Sequence, residues 1–459
     1  MSTQSINVQS EALDPSFGDQ GVLTLPIPGL QGARPLLVQA LPEGKSLLVF
    51  GGAETAPIYI ARLHESGALD QSFGQQGVVE LSLGTTDYFF PSAIHLLDSK
   101  GWLITGRHSD EDFFVPESLA VVRQNEDGSF DTAFGDGGKV IIRIADLVED
   151  SEGKKAHLVR DDDQDEPDKH LPGQLSLNVF SAVQPQAGRK EKTLISATIL
   201  FGLDDLKGVV LRLDDQGNID KTFNRNGFLL VDIPDVTERF NYGRGVVVQS
   251  DNKVVVCGYF MSADQDHEQA YVIRYQENGT VDTRFGSRGD GVVTLGDSNG
   301  SFVLTRLSLK ADGTILAVGA RGGELTNRSE GLMINLNASG SYNLIFNDGK
   351  PLVVDMSPFQ LEFGRCTFQA DGKIVVVGTN GSGRIDETNR QWIGRYLANG
   401  KLDNSFGAGK GWTEFLSPGG INRLNSATYL SDNRIITSNL LMPQEPPFDF
   451  GGFLVRFVG

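Results

Sequence analysis

Residues 13–18 read LDPSFG, and the same hexapeptide pattern returns six more times. It appears as LDQSFG from Leu69, FDTAFG from Phe130, IDKTFN from Ile219, VDTRFG from Val281, YNLIFN from Tyr342 and LDNSFG from Leu402. Its second position falls at 14, 70, 131, 220, 282, 343 and 403, so the steps are 56, 61, 89, 62, 61 and 60. A steady period of about sixty residues, broken once by an insertion, marks a repeat architecture. Between the hexapeptides lie two further recurring motifs. A turn followed by an apolar strand reads DNKVVVCG, DGTILAVG and DGKIVVVG in its clearest forms, and a strand with a central Arg reads IYIARL, LAVVRQ, YVIRYQ and FLVRFV. With the GVLTL-type and LLVQA-type segments, each repeat holds four short strands joined by Gly, Asn and Asp turns. Four antiparallel strands per repeat, seven times over, predict an all-β, seven-bladed β-propeller over residues 1–459 as one domain.

These motifs resemble the delta-60 repeat family, whose repeats carry an x-DG-x-LD-x-SFG pattern and a DGKI-x-V-x-G strand. The resemblance covers nearly the whole chain and implies a β-propeller without implying an activity. It departs at the insertion and at YNLIFN, where the Asp is lost.

The hexapeptide Phe is present in every repeat, and a ring at a fixed place suits packing between blades. The next residue is always Gly or Asn, which indicates a left-handed backbone conformation there. An Arg lies eight residues before the hexapeptide Asp in five internal repeats: Arg62 and Asp70, Arg123 and Asp131, Arg212 and Asp220, Arg274 and Asp282, Arg395 and Asp403. In the sixth, Asn335 and Asn343 replace both partners together. That joint loss predicts direct contact, because removing one partner of a buried pair strands a charge. These carboxylates are therefore read as structural and not as general acids or bases. By the same rule, Arg456, which has no Asp after it, is expected to pair with Asp14, so that the two chain ends share a blade.

Alternation of strand direction places the DGK-type and hexapeptide turns on one face and the irregular loops on the other. Binding residues favour variable loops on a rigid scaffold. The aromatics of that face are Tyr88, Phe89, Phe90, Phe113, Phe114, Phe240, Tyr242, Tyr259, Phe260, Phe359, Phe363 and Phe448. They make a candidate contact surface for a protein or carbohydrate. Arg34, Arg244, Arg306, Arg365 and Arg423 gather near the start of the LLVQA-type strand and are candidate contacts for an anion. The insertion over 145–174, with EDSEGKKAHLVRDDDQDEPDKH, is highly charged and is expected to be a mobile loop. Its RDDDQDEPD run lacks the Gly and terminal Glu of an EF-hand.

The net charge of −19 argues against nucleic acid and against anionic membranes as partners. No apolar run reaches membrane-spanning length, and the first residues show no signal-peptide pattern. A cytoplasmic protein, or one exported without such a signal, is expected. Two cysteines, Cys257 and Cys366, read as free buried thiols. No zinc signature, P-loop or G-x-S-x-G elbow occurs, so no metal, cofactor or catalytic residue is assigned. The function predicted is non-catalytic binding or scaffolding by the variable-loop face. The alternatives are a hydrolase or lyase with its site at the channel mouth, and a structural subunit of a larger assembly.

Overall fold

The computed structural model describes residues 12–28, 30, 32, 34–51, 57–84, 87–110, 118–150, 152–159, 179–202, 205–297, 300–323, 328–356, 358–381, 388–417, 420–442 and 451–459. The repeats form seven antiparallel sheets, and the fold is a seven-bladed β-propeller. The first blade runs Arg34–Ala40, Ser46–Gly51, Ile58–Leu63 and Val78–Glu80, hydrogen-bonded in that order. The next five blades repeat the scheme. The GVLTL-type strand that opens each sequence repeat is thus the fourth strand of the preceding blade. The hexapeptide turn is the cause: it folds the third strand back onto the strand that follows it, as in the pairing of Gln269–Tyr275 with Val292–Leu295.

The blades group into two compact units, one with four blades from the middle of the chain and one with three built from its two ends. In the four-blade unit, the first strands of successive blades lie side by side. Val179–Gln184 packs along Glu238–Val248, and the latter along Gly300–Leu309. The hexapeptide ring links blade to blade. A Cβ on Gly279 of the next turn would sit 3.2 Å from Phe223, and one on Gly340 would sit 2.8 Å from Phe285. The backbone amide of Asn224 donates to Asn278 at 2.7 Å, and Arg212 Nη1 donates to the Glu277 carbonyl at 2.6 Å. Asn224 and Asn347 both have φ of +46°, the left-handed region that Gly or Asn at this position requires.

The charged insertion is not a loose loop in its described part. Residues Ile144–Leu147 form a helical turn, and Ala156–Leu158 pairs antiparallel with Lys192–Phe201, on the same edge as Val179–Gln184. Ile144, Val148, Ala156 and Leu158 are buried in the core of the third blade. Their apolar side chains, spaced between charges, are enough to dock the segment. The remainder of the insertion, residues 160–174 with the RDDDQDEPD run, lies outside the described residues.

In the three-blade unit, the seventh blade takes three strands from the C-terminal end, Ile421–Tyr429, Ile435–Met442 and Gly451–Phe457, and its fourth, Val22–Leu25, from the N-terminal end. The register pairs Val22 with Val455 and Leu25 with Gly452. Arg456 Nε lies 2.8 Å from Asp14 Oδ2, with Arg456 buried. Cys257 is buried and Cys366 half-buried, and neither is in a disulfide. Among the described residues, no helix is long and apolar enough to cross a membrane.

Candidate functional site

The Arg and Asp residues eight apart form ion pairs in every repeat that has them. The distances are 2.8 Å for Arg62–Asp70, Arg212–Asp220, Arg274–Asp282 and Arg395–Asp403, and 3.3 Å for Arg123–Asp131. In the repeat without charge, Asn343 Nδ2 donates to Asn335 Oδ1 at 3.0 Å. A further cation from the start of the second strand joins several corners: Lys45 to Asp70 at 2.9 Å, Lys192 to Asp220 at 2.9 Å, Lys373 to Asp403 at 3.3 Å and Arg434 to Asp14 at 3.0 Å. Burial alone would raise these carboxyls. Hydrogen bonds from the hydroxyls of Ser16, Thr222 and Ser405, with the neighbouring cations, outweigh it and hold Asp14, Asp220 and Asp403 at about 2. Such groups stay ionised and fully bonded, which suits them to holding turns and not to moving protons.

The variable-face aromatics divide by burial. Phe89, Tyr242, Tyr259, Phe260 and Phe363 are buried within strands and serve the blade cores, while Tyr88, Phe90, Phe240 and Phe359 are half-buried. The expectation of an open aromatic surface therefore fails for the first five, because both faces of these strands are packed: the adjacent Tyr259 and Phe260 point to opposite faces and enter different apolar clusters. Arg107 and Arg390 lie over Phe90 and Phe359, at 5.9 and 5.3 Å from the ring centres. Phe113, Phe114 and Phe448 lie outside the described residues.

In the four-blade unit, five of the predicted residues come together with one further ring, Phe180. Phe240 meets Tyr242 edge-on at 5.5 Å, and Tyr242 stacks on Tyr259 at 4.7 Å with 16° between planes. The Arg244 guanidinium lies 5.2 and 5.4 Å from those two rings and donates from Nη2 to Tyr259 Oη at 3.1 Å. Phe180, from the first strand of the third blade, lies 6.0 Å from Arg244 and 4.1 Å from Arg306. The result is a ladder of rings and guanidinium groups across three adjacent first strands, with Tyr259 added from the second strand of the fourth blade.

Backbone irregularity builds this ladder. A bulge between Gly243 and Val246 sets Arg244 and Gly245 together opposite Cys257. Comparable bulges precede Arg306, which faces Val318, and Arg365, which faces Val377. Arg306 and Arg365 thus share one register level in their own sheets, while Arg244 lies within its bulge, one residue earlier. Arg34 and Arg423 sit elsewhere, opposite Gly51 and Leu440. Gly245 permits the close approach of the neighbouring strand, since a Cβ there would lie 3.0 Å from Cys257 Sγ and 3.1 Å from Arg306 Cα. Arg306 is half-buried and Arg244 buried. Burial pushes the Cys257 thiol up to about 12, so it is not a nucleophile at ordinary pH. Arg365 is held by the Asn425 carbonyl, to which its Nη2 donates at 3.0 Å.

Sequence reading missed three residues of chemical interest. Phe180 follows the charged insertion, which obscures the strand it belongs to. Glu268 is raised above its usual range by burial, and it accepts a hydrogen bond from the Ser301 hydroxyl of the next blade. His95 is lowered to about 4 by burial; its Nε2 lies 2.8 Å from Ser181 Oγ, which in turn lies 2.7 Å from Thr105 Oγ1. Among the described residues no carboxylate pairs with His95, so the group lacks the orienting partner of a nucleophilic triad. No group of three or more His, Cys, Asp or Glu residues there is placed to hold a metal.

A β-propeller family described as a domain of unknown function (DUF5122) matches residues 249–285 and 369–406. No curated protein matches the chain. Among solved structures, YCF48 from Cyanidioschyzon merolae is 12% identical with a TM-score of 0.39, covering 95% of this chain and 99% of that one. The Hadza microbial sialidase Hz136 is 10% identical with a TM-score of 0.41, covering 88% and 74%. Hydrazine synthase of Kuenenia stuttgartiensis is 9% identical with a TM-score of 0.44, covering 90% and 95%. Likenesses this distant carry no functional argument.

Proposed function

We propose that the protein is a non-catalytic binding module, and that a protein or glycan partner bearing an acidic group binds at the arginine–aromatic ladder on the loop-bearing side. The carrying observation is the placement of Arg306, half-buried and 4.1 Å from the centre of the Phe180 ring, within the first strand Gly300–Leu309 of the fifth blade. A guanidinium held against a ring keeps its planar donors pre-oriented for a carboxylate or sulfate. By contrast, the turns of the opposite side spend their polar groups internally: Asp312 accepts from the Thr314 amide at 2.9 Å, and Asn399 from the Lys401 amide at 3.1 Å.

The test is binding of the purified chain to arrayed acidic glycans and to acidic peptides. Specific binding to one class, weakened about tenfold in Arg306→Ala with unchanged folding, is the expected result. Binding that Arg306→Ala leaves intact would sink the assignment. The hydrolase or lyase alternative would call on Glu268, whose carboxyl is buried and engaged by Ser301.

A further inference from the structure

We propose that the corner of the fifth blade formed by Leu344 and Ile345 is a docking knob for a partner protein that offers a recessed, uncharged apolar pocket. The two side chains are 77% and 70% exposed, while every other exposed large apolar residue among those described stands at 47% or less. They occupy the third and fourth positions of the hexapeptide. The other six repeats place no large apolar residue there; Gln71–Ser72, Lys221–Thr222 and Asn404–Ser405 represent the set.

The same corner has lost the three charged residues that meet at the corners of its neighbours, although Asp348 and Lys350 follow in the next turn. Asn335 stands in place of the strand Arg, Asn343 in place of the Asp, and Thr314 where Lys253 and Lys373 stand in the neighbouring repeats, just before the second strand. The turn itself is kept. Asn343 Oδ1 accepts from the Ile345 amide at 3.1 Å, as Asp220 Oδ1 accepts from Thr222 at 3.1 Å. Solvent exposure alone calls for neither change, since charged corners serve the other blades in water. Burial against a partner calls for both: the apolar tip gains from leaving water, and an ion pair taken from water would lose more than its own attraction returns.

The shape of the feature selects the occupant. Stable dimers of flat surfaces bury about 800 Å² per partner, far more than two side chains supply. The chain's charge of −19 opposes a second copy and an anionic bilayer alike. A protruding pair of aliphatic side chains buries fully only inside a concave apolar pocket. This site lies on the turn-bearing side, so its failure or success is independent of the ladder.

The experiment places p-benzoylphenylalanine at position 344 of the full chain in its source cells and identifies the adduct. The adduct partner is then purified, and its affinity is measured for the natural chain, for Leu344→Ser with Ile345→Thr, and for Thr314→Lys with Asn335→Arg, Asn343→Asp and Ile345→Ser. The proposal expects one adduct with a different protein, competed by excess unmodified chain, and affinity lowered on the order of a hundredfold in both variants. Both variants should melt as the natural chain does, the second because its corner is that of the other blades. An adduct with a second copy, Leu344-dependent sedimentation with phosphatidylcholine vesicles, affinity unchanged by either variant, or no adduct would each overturn it.

Discussion

Asp220 and Arg212 show what a blade corner needs. Arg212 is 1% exposed and is met by Asp220 at 2.8 Å, with Lys192 and Thr222 completing the carboxylate's bonds. Asp220→Ala should cost about 3 kcal/mol in urea unfolding, because a buried guanidinium loses its counter-charge. Arg212→Asn with Asp220→Asn reproduces the neutral corner of the fifth blade and should recover most of that loss. Equal damage in the single and double variants would contradict the reading. Acid should act at the same residues. Asp14, Asp220 and Asp403 have folded values of about 2, below the ordinary 3.8. Their contribution is therefore complete above about pH 4 and is lost as pH falls toward 2. Unfolding midpoints measured from pH 7 to 2 should hold steady and then drop within that window. The Arg–Asp spacing was legible in sequence because both members change together in one repeat. The third member was not, since Lys192 belongs to a separate turn and meets Asp220 only when the sheet forms.

Strand irregularities decide where side chains point. The bulge at Arg244 and Gly245 brings the Tyr242 carbonyl against the second strand, and a Cβ on Gly258 would lie 2.0 Å from that oxygen. The same close approach recurs at Gly106, Gly319 and Gly378, at 2.0 to 2.2 Å. This explains the terminal Gly of the DGKIVVVG-type motif as a consequence of the bulged strand beside it. Gly258→Ala should cost at least about 2 kcal/mol and disturb the Tyr242–Tyr259 stack, read by near-ultraviolet circular dichroism. Gly451→Ala, with open space around its Cβ position, should stay within about 0.5 kcal/mol. The insertion teaches a related lesson. Averaged over 145–174 it is charged, yet Val148, Ala156 and Leu158 are placed to meet a core that the sequence does not display.

Closure of the seventh blade joins the two chain ends. Val22–Leu25 covers the edge of Gly451–Phe457, and Asp14 meets both Arg456 and Arg434. The Gly18 amide donates to the Ser66 carbonyl at 2.9 Å, and Arg456 Nη1 donates to the Glu65 carbonyl, so the same segment also fastens the first blade. Removing residues 1–25 exposes an unpaired strand edge and the ring site of Phe17. The truncated chain should unfold at a clearly lower temperature and aggregate, and a peptide of residues 12–28 should restore part of the loss. An unchanged melting temperature would show that closure does not hold the blade.

The number of repeats, their turn chemistry, the paired corners and the partnership of Arg456 with Asp14 could be read from the chain alone. Each depends on residues close in sequence or on a pattern repeated seven times, and repetition makes a local rule visible. The phase of strands within blades, the bulges, the docking of Ala156–Leu158 and the ladder from Phe180 to Arg306 could not. These arise where strands of different blades approach within van der Waals distance, and no periodic signal records which side chains of non-repeating segments will meet there.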